Sequence, residues 1–429
     1  MIWIYRLLFP LALAVSSPYY LLRIWKRGGY RRGFLQRFGA LPPLPPRRPG
    51  VRRVWLQAVS VGEILAVGPI LAALKSEGVE VILTTTTSTG RRIAADSYAD
   101  RVAAAAYFPV DWLPFSARAW RRIQPDLAVI TEGERWPEHA RQAHRRRVPL
   151  LCINARISDR SFGRLRRFPF AAAFVLGGID RLLAGSRQDA DRFLQLGIAP
   201  GRVSVTGNIK FDVQIPRLDA AARARWRGEL GLREGSLVLL GSSTWPGEEA
   251  ALVTALQAAR RRGVDCSLLL VPRHAERRGE VARFLATTGL SFHLRSAGAA
   301  KGAVDVAVGD TTGELRSMTQ LADVVFVGKS LPPHGEGQTP VEAAALGKPL
   351  ILGPGMANFR AISEDLLRRG AAVSVGSADA LAACAASLLA EPERLKPLAA
   401  AAALWHADNQ GGVERTLAAI HEALAKTAA

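Results

Sequence analysis

At 429 residues the chain is too long for one hydrophobic core and comfortable as two domains of ordinary size. A hydrophobic content of 49% excludes a disordered chain, and three widely spaced cysteines, Cys152, Cys266 and Cys384, exclude a disulfide framework. The net charge of +20 admits nucleic acid, an anionic membrane face or polyanionic substrates. With its arginines scattered over helical patterns and no nucleic-acid module readable, the expectation is an anionic membrane lipid and no nucleic acid.

The N-terminus agrees with that choice. "MIWIYRLLFPLALAVSSPYYLLRIWKRGGYRRGFLQRFG" begins with an apolar run close to the length of a membrane span. Arg6, Pro10 and Pro18 interrupt it, so a spanning anchor and a helix lying in the interface both stay open. Arg23, Lys26, Arg27, Arg31, Arg32 and Arg37 follow, with no A-x-A-like cleavage site before them. Such cations place the remainder on the cytoplasmic side of the inner membrane and attract anionic lipid.

From residue 54 short apolar runs alternate with helical patterns. "VWLQAVS", "VEVILTTTT", "PDLAVITEGE", "VPLLCINARIS" and "IDRLLAGS" read as strands. "VGEILAVGPILAALKSEG", "STGRRIAADSYAD", "WPEHARQAHRRR" and "RQDADRFLQLG" read as helices between and after them. Repeated strand–helix units predict a parallel sheet covered on both faces. "VSVTGNIKFDVQIPRLD" breaks the rhythm and reads as a connector. A second series follows: "LVLLGSS", helix 247–262, "CSLLLVPRH", helix 276–289, "LSFHLRS", "VDVAVGD", "ADVVFVGKS", helix 340–347 and "PLILGP". The expected architecture is α/β, two doubly wound domains facing a cleft, with Ala-rich terminal helices packing back across the pair.

Small and polar groups recur at the strand ends. "AVSVGE" puts Ser60, Gly62 and Glu63 at a helix start, where Glu63 is either a charge favoured by the helix dipole or a general base. "TEGERWPE" offers Glu132 and Glu134, as an acid–base pair or with one orienting the other or binding Arg156. "SSTWPGEE" brings hydroxyls, including Ser242 and Ser243, to a helix start suited to an anion or a ribose. "VPRH" ends in Arg273 and His274, "GDTTGEL" holds Glu314, and "GQTPVE" supplies Thr339 and Glu342. Together these describe a nucleotide site: phosphate at helix N-termini, ribose on a carboxylate, base near "PRH". There is no P-loop, no G-x-S-x-G elbow and no G-x-G-x-x-G after the first strand. Asp189 and Asp191 lie within a helix and point apart, so no metal site and no cofactor are expected.

These motifs, in this order and over nearly the whole chain, resemble the 3-deoxy-manno-octulosonate (Kdo) transferases of lipid A biosynthesis. The resemblance rests on the basic "GGYRRGFLQRFG", "AVSVGE", "TTTTSTG", "TEGERWP", "INARISDRS", "GNIKFD", "GSSTWPGEE", "VPRH", "GDTTGEL" and "GEGQTPVE". It implies a two-domain GT-B glycosyltransferase, inverting and metal-independent, moving Kdo from CMP-Kdo to the lipid A precursor (lipid IVA). It implies an anchor over 1–25, an acceptor domain over 26–207, a linker over 208–225, a CMP-sugar domain over 226–410 and a returning helix over 411–429. The catalytic carboxylates fall on Glu63 and Glu134. Donor contacts fall on Lys210, Ser242, Ser243, Pro272, Arg273, Thr312, Gly313, Glu314, Thr339, Pro340, Val341 and Glu342. Acceptor contacts fall on Ser60, Gly62, Thr87 and Arg156. Two positions depart from the family pattern: Thr339 stands where Asn is usual, and Trp245 where His is common. The alternatives are a membrane-associated GT-B enzyme using a UDP-sugar and a non-catalytic protein binding anionic lipid.

Overall fold

The computed structural model describes residues 1–27, 33–213 and 215–427, with side chains omitted at 20, 21 and 23–27. Arg31 and Arg32 of the expected basic cluster lie outside the described residues, as do the side chains of Arg23, Lys26 and Arg27. The chain forms two compact units, Met1–Asp212 with Gln410–Ala429, and Val213–Asn409.

The first unit opens with α1 (Ile2–Arg27). The alternation then runs β1 (Arg53–Gln57), α2 (Val61–Ala66), α3 (Gly68–Ser76), β2 (Glu80–Thr85) and α4 (Ser88–Ser97). It continues through β3 (Ala104–Tyr107), α5 (Leu113–Ile123), β4 (Leu127–Thr131), α6 (Pro137–Arg145) and β5 (Leu150–Ala155). It ends with α7 (Asp159–Arg167), α8 (Pro169–Leu176), β6 (Arg181–Ala184), α9 (Arg187–Gln195) and β7 (Val203–Val205). The strands pair in the order β3-β2-β1-β4-β5-β6-β7, every neighbour parallel, with Val54 opposite Val81 and Leu127. β1, β2, β4 and β5 are buried along their whole length, because helices cover both faces.

The second unit contains α10 (Ala220–Leu230), β8 (Leu237–Thr244), α11 (Glu248–Arg261), β9 (Cys266–Pro272), α12 (Arg278–Ala286) and β10 (Phe292–Leu294). Then come β11 (Val306–Val308), α13 (Leu315–Leu321), β12 (Val324–Val327), α14 (Val341–Ala345) and β13 (Leu350–Leu352). It closes with α15 (Arg360–Arg368), β14 (Ala372–Ser374), α16 (Ala378–Ala390) and α17 (Pro392–Asn409). Its parallel sheet is ordered β10-β11-β9-β8-β12-β13-β14. The last helix, α18 (Gly412–Lys426), belongs to the first unit. Its Ile420 and Leu424 join the core around Val54, Leu71 and Leu83, and Asp212 caps its start by accepting from the backbone N–H of Gly411 and Val413.

Three stretches differ from the sequence expectation. The helix expected after β1 is two helices, because Pro69 has no N–H for the Leu65 carbonyl and its ring crowds that position. The "connector" begins as β7, an edge strand paired with β6. β3 is an edge strand of alanines with little β preference of its own, held by pairing with β2.

The amino edge of the first sheet is closed by a buried ion pair. Arg53, 2% exposed, donates to Glu80 at 2.7 Å and to the carbonyls of Pro45 and Ile123 at 2.8 and 3.0 Å. Burial alone would raise the Glu80 carboxyl; hydrogen bonds from Arg53 and Arg48 outweigh it and hold the group below its ordinary value. The linkage therefore stabilises the fold above the unfolded carboxylate value of about 4.3 and fades as pH falls through the lower folded value. Glu80→Gln should cost roughly 3 kcal/mol by urea unfolding near neutral pH. That deficit should shrink toward acid pH, and a deficit that persists there would contradict the assignment.

Candidate active site

In each sheet one pair of adjacent strands sends its chains in opposite directions, and the carboxyl ends of that pair are left open between the departing loops. In the first unit the pair is β1 and β4, in the second β8 and β12. Among the described residues six non-glycines have positive φ, and four of them sit at carboxyl ends around these points: Glu132, Asn154, Ser243 and Lys329. Strained backbone of this kind is kept where the surroundings over-determine it, commonly at functional sites.

In the first unit β1 runs into Ser60, the N-cap of α2, whose hydroxyl accepts from the Glu63 N–H at 3.3 Å. The Glu63 carboxylate folds back to accept from the Val59 N–H and the Ser60 hydroxyl, each at 2.9 Å. Across the switch point Thr131, at the end of β4, donates its hydroxyl to the same carboxylate. Glu63 is 8% exposed. One oxygen, Oε2, takes two of these bonds; Oε1 takes only the Ser60 hydroxyl and keeps accepting capacity. Glu134 lies on the loop after β4, with the Gln57 amide 3.5 Å from its carboxylate. Burial, reinforced by the negative charge of Glu63, pushes the Glu134 carboxyl up to about 7. The first unit thus gathers two carboxyl groups at its open strand ends.

The neighbouring acceptor candidates are held by the same strand ends. Thr87 caps α4, accepting from the Gly90 N–H at 3.1 Å and donating to the Val59 carbonyl at 3.2 Å. A Cβ at Gly90 would stand 2.7 Å from both Thr85 Oγ1 and Thr87 Oγ1, so only glycine lets α4 approach this edge. Gly62 is different: a Cβ there would meet nothing nearer than Ser60 Oγ at 3.9 Å. The Arg156 side chain is exposed just past β5. Lys210 lies in the first unit and is ion-paired with Glu132, whose carboxylate also accepts from Asn154 at 3.3 Å. Thr131 and Gln57 escaped the sequence reading. Both lie inside apolar strands, and only the strand order shows that they face the carboxylates.

In the second unit Ser242 and Ser243 lie just before the last residue of β8, Pro272 ends β9 and Arg273 follows it, Thr312–Glu314 follow β11, and Thr339–Glu342 follow β12. Because these strands are parallel neighbours, all four groups share one carboxyl edge. Arg273 and His274 are exposed there. Glu314 accepts from Thr311 and from Arg295, and Glu342 from Arg316 at 2.8 Å. The Thr339 hydroxyl accepts from the Val341 N–H at 3.3 Å. Trp245 stacks edge-on against His274 at 5.5 Å and lies 5.6 Å from His334, and the Lys329 ammonium sits 4.2 Å from its ring centre.

The organiser of this edge is Glu248, which the sequence reading did not single out. Glu248 is 1% exposed and accepts four backbone N–H groups: Trp245 and Lys329 on one oxygen, Ser330 and Leu331 on the other, at 2.8 to 3.1 Å. The loop after β12 is thereby locked onto the loop after β8. Gly328 permits it, since a Cβ there would lie 2.3 Å from the Ser243 carbonyl oxygen.

A chain of two such α/β units, each with polar groups gathered at its switch point, has the GT-B class of glycosyltransferase fold. A solved glycosyltransferase from Rickettsia africae ESF-5 shares that fold, covering 88% of this chain and 99% of its own at a TM-score of 0.57 and 13% identity. Residues 32–213 match the family model described as 3-Deoxy-D-manno-octulosonic-acid transferase (kdotransferase). The chain is 34% identical to the 3-deoxy-D-manno-octulosonic acid transferase of Bordetella pertussis, over 97% of this chain and 99% of that one. It is 30% identical to the corresponding transferase of Haemophilus influenzae, over 94% and 92%. The chain belongs to the Kdo transferase family and is a glycosyltransferase of lipopolysaccharide biosynthesis.

Two outcomes check this geometry. Glu134 binds its proton more tightly folded than unfolded, so it subtracts stability as pH rises from about 4.3 toward about 7. Glu134→Gln should therefore gain stability over the parent chain across that window, read as urea midpoints at its two ends; an equal difference at both ends would refute the shift. Glu248→Gln should lose amide-exchange protection at Lys329, Ser330 and Leu331 by about tenfold or more while β9 stays protected.

Proposed function

We propose that the chain transfers Kdo from CMP-Kdo to the lipid A precursor, lipid IVA, in a single inverting displacement with Glu63 as general base. One observation carries this reading. The buried Glu63 carboxylate stands at the switch point with Oε1 under-used, beside Glu134, which holds a proton near neutral pH. Oε1 takes the proton of the acceptor hydroxyl as oxygen attacks the anomeric carbon and the bond to the cytidylate phosphate breaks. Thr131, Ser60 and the Val59 N–H keep the carboxylate aimed throughout. Glu134, by staying partly protonated, keeps a second full negative charge away from Glu63.

The donor is assigned to the second unit's carboxyl edge. Arg273, the Ser242 and Ser243 hydroxyls and the helix starts at Thr312–Glu314 and Thr339–Glu342 receive the nucleotide, with Pro272, Pro340 and Val341 as apolar walls. Glu342 or Glu314 takes the ribose hydroxyls by exchanging an arginine partner. Lys210 is assigned to the sugar carboxylate in exchange for Glu132. A cytidylate leaving group carries one phosphate, a charge that Arg273 and backbone N–H groups can balance without a metal. Asp189, the first acid of the lone Asp-x-Asp, is already committed to Ser186 and the Ile157 N–H. Ser60, Gly62, Thr87 and Arg156 are assigned to the acceptor. The open space at Gly62 and the exposed arginines Arg156 and Arg160 suit a phosphorylated lipid at the cytoplasmic face of the inner membrane.

Glu63→Gln keeps a carbonyl oxygen for the Val59 N–H and the Thr131 hydroxyl, puts an amide NH2 where Oε1 faced the Ser60 hydroxyl, and removes the base. It should retain CMP binding and the thermal midpoint yet lose transfer by roughly a hundredfold or more, followed by mass spectrometry of the lipid product. Near-parental turnover would remove Glu63 from this role. Replacing CMP-Kdo by UDP-sugars should give no product; transfer from a UDP-sugar would favour the rival donor class.

A further inference from the structure

Helix α1 has two faces. Tyr5, Arg6 and Phe9 are half-buried, whereas Trp3, Leu7, Leu8, Leu11 and Val15 are exposed, Val15 to 83%. The covered face is held by polar bonds to the first unit. The Arg6 guanidinium donates to both oxygens of Glu138 at 2.8 and 3.0 Å, and the Glu138 side chain is fully buried. The Tyr5 hydroxyl donates to Asp111 at 2.7 Å, and the Trp112 indole N–H donates to the Arg6 carbonyl at 3.0 Å. The Tyr5 ring also packs on Phe174 of α8, 5.7 Å between centres.

By length and composition Ile2–Tyr19 is apolar enough to cross a membrane. Its attachments forbid it. A crossing would put the first turn of α1 on the far side, but Tyr5 and Arg6 are bonded to α6 and to the segment before α5. From Arg6 to Arg27 the helix runs about 32 Å. Six peptide units then lead to Gly33, a reach of at most roughly 20 Å. Five residues on, Phe38 packs on Phe115 of α5 at 5.0 Å. Both ends of α1 are tied to the same unit, so the helix lies along its surface.

A second apolar element adjoins it. α8 reads PFAAAFVL, and only Ala172 and Leu176 are buried. Phe168 and Phe170 stand 46% and 63% exposed. The preceding α7 has no buried residue and carries Arg160, Arg164, Arg166 and Arg167, all exposed. Exposed apolar side chains on two helices that touch through Tyr5 and Phe174, with the α7 arginines next to them in a chain of net charge +20, match the acyl layer and headgroups of an anionic bilayer.

We propose that α1 does not span the membrane but lies in its plane, and that its exposed face, with Phe168 and Phe170, enters one leaflet while the α7 arginines meet anionic headgroups. The N-terminus then stays on the side of the catalytic units. The inference extends the reading of a membrane-bound acceptor, but its test involves no transfer, so either can fail alone.

The test uses the full chain with Cys384→Ser, since the two other cysteines are buried. Ile4→Cys, Leu8→Cys, Leu11→Cys and Val15→Cys are labelled singly with bimane and bound to vesicles of phosphatidylethanolamine and phosphatidylglycerol brominated at one acyl depth. An in-plane helix gives quenching alike within about twofold at all four positions. A maximum midway along the helix marks a span and overturns the proposal. Absent quenching overturns it too, whether the chain is monomeric or a concentration-dependent dimer covers the face. Arg164→Gln and Arg167→Gln should each weaken partition into these vesicles by roughly fivefold; unchanged partition would refute the headgroup contact. An Ile2→Cys label should react with an impermeant maleimide in inverted vesicles and not in intact spheroplasts; the reverse would also overturn the topology.

Discussion

A parallel sheet has one place where its connections part, and at that place the carboxyl ends of two adjacent strands face open space. Each unit of this chain bridges that place with a single buried glutamate in the first turn of a helix. Glu63 joins the loop after β1 to Thr131 on β4; Glu248 joins the loop after β8 to the loop after β12. Each brings a charge to a helix N-terminus, where the backbone dipoles favour it, and each spends that charge on donors from the partner strand. The two differ in what remains. Glu248 accepts four backbone N–H groups, two on each oxygen, and is saturated. Glu63 accepts three donors, leaving one oxygen with capacity for a proton. Equivalent placement thus yields a structural clamp in one unit and a candidate base in the other.

The electrostatics of the first unit follow from that placement. Burial raises the Glu134 carboxyl and the neighbouring charge of Glu63 adds to it, so Glu134 retains its proton to about 7. Three other buried carboxylates are neutralised by arginine: Glu80 by Arg53 and Arg48, Glu138 by Arg6, Glu249 by Arg277 at 2.7 Å. Glu63 and Glu134, like Glu248, take their hydrogen bonds from neutral donors.

Much of this was legible along the chain. Apolar runs bounded by Ser, Thr, Gly and Glu announced the parallel strands and the carboxyl edges, because a strand buried on both faces has to be continuously apolar. The candidate residues after β8, β9, β11 and β12 do share one edge. The gaps have physical causes. β3 is alanine-rich and earns its strand state from β2; β7 sits in a stretch whose polar residues masked three paired ones. Thr131 and Gln57 read as strand interior because period and propensity say nothing about which neighbour a strand will have.

The family motifs and the alternation of strand and helix were set by local order, since backbone hydrogen bonding and burial act over a few residues. Which carboxylate ends saturated and which keeps a free oxygen depended on partners 68 to 83 residues distant, such as Thr131 for Glu63 and Leu331 for Glu248. The fate of α1 was decided in the same way. Its hydropathy allowed a span, and the buried partner that Arg6 finds 132 residues away, with the short tether at its other end, holds it against the first unit. Contacts of that range arise only when the sheet brings distant segments together, and the free energy of burying a charge makes them decisive.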